Sequence, residues 1–124
     1  MLQKKFALLT DAGQETPTCS LLQEELARQE RTVVLYMTAD CQPCAGYVQA
    51  LADLGEQPGT SFAVVDVNEC PREANARDVD STPTLSIDLR GSELIRVPIT
   101  GDPRADISFL GAILKDLQGE REDG

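Results

Sequence analysis

The sequence has 124 residues, of which 41% are hydrophobic and 26% charged, and these values fit one globular domain with a single core. Its net charge of −10 argues against nucleic acid or an anionic membrane surface as a main partner, because no basic patch offsets that field. The absence of histidine excludes Cys-His dyads, Ser-His-Asp triads and Cys₂His₂ zinc sites within this chain.

Hydrophobic periodicity and turn residues predict the element order β-α-β-α-β-α-β-β-α. In chain order the predicted elements are a strand at Phe6–Thr10, a helix at Thr18–Glu30, a strand at Thr32–Met37, a helix at Pro43–Leu54, a strand at Phe62–Val67, a short helix at Pro71–Val79, a hairpin of Thr84–Leu89 and Leu94–Ile99, and a helix from Pro103. Helical connections make the first three strands parallel, and the hairpin adds antiparallel pairing at one edge. The predicted fold class is α/β, with a central mixed sheet flanked by helices.

The apolar patterns of these segments indicate which faces are buried. Thr32–Met37 is apolar on both faces, which is typical of a central strand, whereas Thr84–Leu89 alternates and predicts a strand with one buried face. The predicted buried face of the first helix, whose N-cap lies near Thr18, comprises Leu21, Leu22, Leu26 and Ala27. That of the second helix, which ends at Gly55, comprises Tyr47, Val48, Leu51 and Leu54. We expect one domain over residues 1–124, with Gly119–Gly124 as a flexible acidic tail.

The cellular compartment is predicted from the absence of membrane and export signals. No apolar run approaches the roughly 20 residues that span a bilayer, and the start MLQKKFALLT lacks the apolar core, roughly 7–15 residues long, of a secretory signal. We therefore expect a cytoplasmic protein, in which thiols are kept reduced. Four cysteines in that compartment indicate catalysis, metal binding or simple burial rather than a disulfide framework.

Cys41 and Cys44 are the candidate catalytic residues. Cys41 follows the predicted central strand directly, and Gln42-Pro43-Cys44 opens the next helix. The unpaired N–H groups and the positive dipole end of that helix stabilise a thiolate at Cys41. Cys44 lies one turn further in and is close enough to attack a mixed disulfide on Cys41. The spacing therefore predicts thiol–disulfide exchange, with Cys41 as the nucleophile and Cys44 as the resolving cysteine.

Two other interpretations of the cysteines stay open at this point. Cys19 and Cys70 could complete a Cys₄ set for zinc or an iron–sulfur cluster, although the sequence contains no second Cys-x-x-Cys pair. Alternatively, Cys41 and Cys44 could be inert, buried thiols.

From about Phe6 to Leu117 the chain resembles the thioredoxin family. Cys41-Gln42-Pro43-Cys44 is similar to the family's Cys-Gly-Pro-Cys, and Ser81-Thr82-Pro83-Thr84-Leu85 is similar to its cis-proline segment. The resemblance implies a thioredoxin-like fold with a cis Thr82–Pro83 peptide opposite the dithiol. It also implies a set of substrate-binding residues, namely Thr82, Pro83, Gln42, Pro43 and a rim glycine, Gly101.

The function that the resemblance implies is that of a protein-disulfide oxidoreductase acting in cell redox homeostasis. It needs no metal and no cofactor beyond the redox-active Cys41–Cys44 disulfide. Its expected partners are protein disulfide substrates and a disulfide reductase, and we expect it to act as a monomer. Family potentials run from about −270 mV to about −120 mV, and Pro43 favours the reducing half of that range.

The sequence departs from the family pattern around the dithiol. The tryptophan that usually precedes the first cysteine is Asp40 here, and a second aromatic position holds Met37. The family's buried carboxylate and its accompanying lysine fall on Leu35 and Val64. Asp40 opposes the helix dipole, so we expect it to raise the pKa of Cys41. These departures keep open an alternative function, a redox-inactive thioredoxin-like module for binding or assembly.

The resemblance also bears on Cys19 and Cys70. In this fold the first and third strands are parallel neighbours, so the two cysteines that follow them belong to the same sheet edge as the dithiol. A second, regulatory disulfide between Cys19 and Cys70 is therefore one expectation, and two unrelated half-buried thiols are the other.

Overall fold

A four-stranded mixed sheet with helices on both faces forms the described part of the chain. The computed structural model describes residues 15–123, so the predicted strand Phe6–Thr10 lies outside the described residues. The elements are α1 (Glu15–Arg28), β1 (Arg31–Met37), α2 (Gln42–Leu54), β2 (Ser61–Asp66), α3 (Pro71–Ala76), β3 (Thr84–Leu89), β4 (Ser92–Val97) and α4 (Pro103–Asp123). The predicted order and the α/β class are confirmed for this part of the chain.

The strand order in the sheet is β2-β1-β3-β4. β1 pairs in parallel with β2, with Leu35 opposite Val64, and antiparallel with β3, with Tyr36 opposite Thr84. β3 and β4 form the predicted antiparallel hairpin. β1 is thus flanked by strands on both sides and is buried on both faces, as its apolar sequence indicates.

Two separate apolar cores cover the two faces of the sheet. Because side chains alternate along a strand, Val33 and Leu35 of β1 face one core while Val34 and Tyr36 face the other. The first core packs α2 and α4 onto the sheet through Tyr47, Leu51, Ile107, Leu110 and Leu114. The second packs α1 and α3 through Cys19, Leu22, Leu26, Cys70 and Ala74. The two cysteine pairs therefore belong to opposite faces of the sheet.

Several predicted boundaries and faces are corrected by the structure. α1 begins at Glu15 rather than near Thr18. Of the four residues predicted for the buried face of this helix, only Leu22 and Leu26 are buried. Leu21 is 48% exposed, and Ala27 is also exposed. β4 spans Ser92–Val97 instead of Leu94–Ile99, because the hairpin turn contains only two residues, Arg90 and Gly91, both at positive φ.

The prediction that β3 buries only one face is wrong. Its polar residues Thr84, Ser86 and Asp88 are buried, as are Leu85 and Ile87. The Asp88 carboxylate accepts a hydrogen bond from the Arg77 guanidinium, which also donates to the Gly91 carbonyl at 2.9 Å. A buried charge is tolerated when it is paired in this way, so the polar face of β3 is covered rather than solvated.

The C-terminal helix is longer than predicted. α4 continues through Asp123, whereas the sequence indicated a break and a flexible tail at Gly119–Gly124. A single glycine inside a helix costs only about 1 kcal/mol relative to alanine, which is too little to end a helix by itself.

Candidate active site

Cys41 occupies the N-cap position of α2, so its local conformation differs from that of the helix behind it. Its backbone is extended, with φ −88° and ψ 105°, and Pro43 lies in the first turn, where a missing N–H costs nothing. The Cys44 N–H donates to Cys41 Sγ at 3.2 Å. This bond, together with the helix dipole, stabilises negative charge on the Cys41 sulfur.

The two cysteines of this pair differ in exposure. Cys41 and Cys44 are joined as a disulfide with a Cα–Cα distance of 5.3 Å, and Cys44 has 0% of its surface exposed while Cys41 is half-buried. Asp40, Gln42 and Pro43 are all exposed around Cys41. An incoming group therefore meets Cys41 and its polar surroundings first.

The predicted cis-proline segment lies at the same edge of the sheet. The Thr82–Pro83 peptide bond is cis, and β3 begins at the next residue. Since Thr84 pairs with Tyr36 near the end of β1, the residues before β3 and the residues after β1 leave the sheet at the same edge. Thr82 and Pro83 are both half-buried there, and the Thr84 hydroxyl donates to the Ser81 carbonyl at 2.7 Å.

Gly101 belongs to a polar network that the sequence analysis missed. Its N–H donates to the Tyr47 hydroxyl oxygen at 3.2 Å, and the Tyr47 hydroxyl donates to the buried Asp106 carboxylate. Asp106 also accepts from the Thr100 N–H at 2.8 Å and from the Thr100 hydroxyl at 2.6 Å. The network ties the Thr100–Gly101 loop to α2, one turn beyond Cys44.

Two glycines fit the backbone around this network. Gly101 has φ 102°, a conformation that residues with a Cβ rarely adopt. Nearby, a Cβ on Gly46 would lie 2.9 Å from Pro103 Cγ, so a glycine is needed where α2 and α4 approach each other. The sequence signal was weak because Tyr47 fits an apolar stripe and Asp106 is an ordinary acidic residue in the first turn of a helix.

The ionisation of the network is shaped by burial and hydrogen bonding. Burial, together with the hydrogen bond to Asp106, raises the pKa of Tyr47 to about 12. Burial alone would raise the pKa of Asp106, but hydrogen bonds from Thr100, Tyr47 and Gly101 lower that pKa below its ordinary value. Tyr47 is therefore a neutral donor and Asp106 a buried anion near neutral pH.

The positions that hold the buried acid and base of the thioredoxin family are apolar in this structure. Leu35 is 0% exposed and Val64 2% exposed, and they lie opposite each other in the β1–β2 register. Within residues 19–119, the buried acidic side chains are Asp88 and Asp106. Asp88 lies on the other face with Arg77, and Asp106 is held by Tyr47 and Thr100. Met37 is half-buried at the end of β1.

Cys19 and Cys70 are brought together on the α1–α3 face. They form a disulfide with a Cα–Cα distance of 5.4 Å, and each is 8% exposed. Neither Cys41 nor Cys44 belongs to the group of metal-ligating side chains around this pair. The alternative in which all four cysteines bind one zinc ion or cluster is therefore wrong.

Comparison with solved structures identifies the fold as that of thioredoxin. A mutant thioredoxin from Halobacterium salinarum is 24% identical, with a TM-score of 0.60 over 69% of this chain and 76% of that one. Oxidised mitochondrial thioredoxin 3 from Saccharomyces cerevisiae is 23% identical, with a TM-score of 0.65 over 78% of this chain and 88% of that one. Oxidised thioredoxin from Plasmodium falciparum is 18% identical, with a TM-score of 0.67 over 79% and 90%. At these identities the similarity shows the fold.

Sequence comparison adds no closer relative. No protein-family model and no curated protein matches the chain. Among the described residues, every helix is too short or too polar to span a bilayer.

Proposed function

We propose that this protein is a thiol–disulfide oxidoreductase that reduces or exchanges disulfide bonds of other proteins through Cys41 and Cys44. The observation that carries the proposal is the unequal exposure of two cysteines at one helix N-terminus. Cys41 is half-buried at the N-cap, and Cys44 is fully buried directly behind it. A partner can reach Cys41, whereas Cys44 meets the Cys41 sulfur from inside the protein.

The exchange proceeds in two steps from the reduced protein. The Cys41 thiolate attacks one sulfur of a substrate disulfide, a mixed disulfide forms, and the other substrate sulfur leaves as a thiolate. The Cys44 thiolate then attacks Cys41 Sγ, which releases the second substrate thiolate and closes the Cys41–Cys44 disulfide. Two electrons pass to the substrate, whose thiolates take up the protons that the two cysteines lost. A disulfide reductase is the partner that restores the dithiol.

The substrate is an extended protein segment bound at the end of the sheet where Cys41 lies. Thr82 precedes β3 at that end, and its main-chain groups are the ones proposed to pair with the extended segment. The exposed Gly101 and the exposed Gln42 and Pro43 complete the surface around Cys41. One protein molecule carries all of these groups, so the monomer is the active unit.

Proton transfer at Cys44 differs from the family pattern, because Leu35 replaces the buried carboxylate. The Cys44 thiol then loses its proton to water or to the substrate thiolate that has just left. We expect resolution of the mixed disulfide to be slow at neutral pH and to accelerate as the pH rises.

The test is reduction of insulin by dithiothreitol in the presence of the full chain. We expect wild type to accelerate the reaction and Cys41→Ser to abolish that acceleration. The matched control is Cys19→Ser/Cys70→Ser, which removes the other pair and is expected to keep the activity. The proposal fails if wild type has no activity, or if Cys41→Ser is as active as wild type.

The apolar Leu35 favours one alternative, a redox-inactive module that binds protein partners through the same edge of the sheet. In that case Cys41→Ser would bind an extended peptide as well as wild type does, and wild type would lack insulin reductase activity. The insulin assay therefore separates the two functions.

A further inference from the structure

The Cys19–Cys70 pair has a third potential metal ligand beside it. Cys19 lies in the second turn of α1, Cys70 is the N-cap of α3, and Glu73 lies in the first turn of α3. The two sulfurs and one Glu73 carboxylate oxygen all lie within 4.8 Å of one another. Among the described residues, no other group of three or more cysteine or acidic ligands is this close together.

We propose that the reduced Cys19–Cys70 pair and Glu73 form a binding site for a soft divalent cation, such as Zn²⁺. The cation and the Cys19–Cys70 disulfide use the same two sulfur atoms, so they exclude each other. The site is therefore open to the metal only when the pair is reduced. This inference does not depend on the exchange activity of Cys41 and Cys44.

The ligand set and its dimensions fit zinc. Zn–S bonds are about 2.3 Å long and Zn–O bonds about 2.0–2.2 Å. Two sulfurs bound to one tetrahedral zinc ion therefore lie roughly 3.8 Å apart. The ligand atoms of Cys19, Cys70 and Glu73 already lie within 4.8 Å of one another. Once the disulfide is reduced, a small movement of the side chains gives the distances that zinc requires. Two thiolates select zinc or cadmium over magnesium and calcium, which prefer oxygen ligands. Three protein ligands leave the fourth position to water.

The protein positions these ligands on packed elements. Cys70 and Glu73 are three residues apart at the start of one helix, so their side chains project to the same side. Cys19 is held against them because α1 and α3 share the second core with Leu22, Val65 and Ala74. Both cysteines are 8% exposed while Glu73 is half-buried, so the carboxylate marks the side from which a cation enters.

The electrostatics of the reduced pair favour a cation. Two thiolates in an apolar core would be strongly destabilised without a positive partner. The Glu69 carbonyl oxygen lies 3.4 Å from Cys19 Sγ and is placed to accept a hydrogen bond from its thiol in the reduced pair. Metal binding displaces the two thiol protons, so the two charges of M²⁺ are balanced by the two thiolates and the chain keeps its net charge of −10.

The redox step balances with an external thiol reductant. A dithiol attacks the Cys19–Cys70 disulfide and is itself oxidised to a disulfide, and Cys19 and Cys70 each receive one electron and one proton. Binding of M²⁺ then forms two metal–sulfur bonds and one metal–oxygen bond and releases two protons. When a disulfide oxidant takes two electrons from the thiolates, it is reduced to two thiols, the Cys19–Cys70 bond forms again and the ion is released.

The experiment uses the full chain with Cys41→Ser/Cys44→Ser, so that the remaining thiols are Cys19 and Cys70. The protein is reduced with a phosphine, desalted without oxygen and titrated with Cd²⁺, and the ultraviolet thiolate-to-cadmium absorption is followed. We expect one Cd²⁺ per monomer, displacement of the cadmium by excess Zn²⁺, and no signal from the oxidised protein. Circular dichroism of every variant verifies that it is folded.

The contribution of Glu73 is tested by Glu73→Gln in the same background. We expect its cadmium affinity to fall roughly tenfold or more, and the charge-matched control Asp80→Asn to bind like its parent. The proposal is overturned if no absorption develops, if half an equivalent of Cd²⁺ saturates the protein by bridging two chains, or if Glu73→Gln and Asp80→Asn bind equally.

Discussion

The two cysteine pairs of this protein differ in sequence separation, exposure and placement. Cys41 and Cys44 are three residues apart at the tip of one helix, and one of their sulfurs is accessible. Cys19 and Cys70 are 51 residues apart and are both buried between α1 and α3 on the other face of the sheet. A short local pair can open and close without loss of the fold, whereas a long-range buried pair restrains the unfolded chain. This difference is the reason why we propose exchange chemistry for the first pair, and stabilisation or metal binding for the second.

The largest expected effect tests the division of roles within the exposed pair. Cys44→Ser leaves Cys41 able to attack but removes the resolving thiolate. We expect insulin reduction to fall on the order of a hundredfold and a covalent adduct between Cys41 and the substrate to accumulate. Mass spectrometry under non-reducing conditions detects the adduct. If Cys44→Ser turned over like wild type, the assignment of Cys44 as the resolving residue would be wrong.

Removal of the buried pair is expected to act on stability instead. For oxidised protein, Cys19→Ser/Cys70→Ser opens a loop closed over a separation of 51 residues. The unfolded chain gains conformational entropy, which predicts a destabilisation of roughly 4 kcal/mol. Urea unfolding under non-reducing conditions measures it. The comparison breaks down if this variant keeps its full stability while Cys41→Ser/Cys44→Ser loses several kcal/mol.

The face that carries the exposed pair has its own buried anion, Asp106. Asp106→Asn removes the charge that accepts hydrogen bonds from Tyr47 and Thr100, and we expect a loss of about 2 kcal/mol at pH 7. Urea denaturation measures this loss, with exposed Asp116→Asn as the control.

The same residue predicts an acid dependence with a defined sign. Because the pKa of Asp106 is lowered on folding, its contribution is complete above the ordinary aspartate pKa of about 3.9 and disappears as the pH falls through the lower folded value. The stability difference between wild type and Asp106→Asn should therefore shrink in that acid range. A difference that stays constant down to the lowest pH at which wild type is folded would contradict it.

The smallest expected effect concerns the reactivity of Cys41. Asp40 is exposed beside Cys41 and opposes the helix dipole, so Asp40→Asn is expected to lower the pKa of Cys41. The alkylation rate of the reduced protein at pH 7 should rise about twofold, because only the thiolate reacts and the exposed charge is screened. Asp53→Asn, at the far end of α2, is the control. An unchanged rate in Asp40→Asn would remove Asp40 from the tuning of Cys41.

Much of the fold could be predicted from the sequence because its signals are local. The apolar run of β1 indicates a central strand, and the periodicity of α2 gives its buried stripe of Tyr47 and Leu51. The errors arise where burial depends on distant residues. Asp88 looks like a solvent-facing residue in its strand, and only the approach of Arg77 from the end of α3 makes its burial favourable. Helical periodicity places Leu21 beside Leu22, but Leu21 lies outside the second core and is 48% exposed.

Local sequence patterns are enough to predict the element order and the position of Cys41 and Cys44 at the start of a helix, because these features depend on neighbouring residues. The contacts of Cys19 with Cys70 and Glu73, and of Tyr47 and Asp106 with the loop at Gly101, arise from the tertiary fold. Cys19 and Cys70 are 51 residues apart and Tyr47 and Asp106 are 59 apart. Each pair meets because two distant helices pack on the same face of the sheet, and no local sequence pattern predicts that contact.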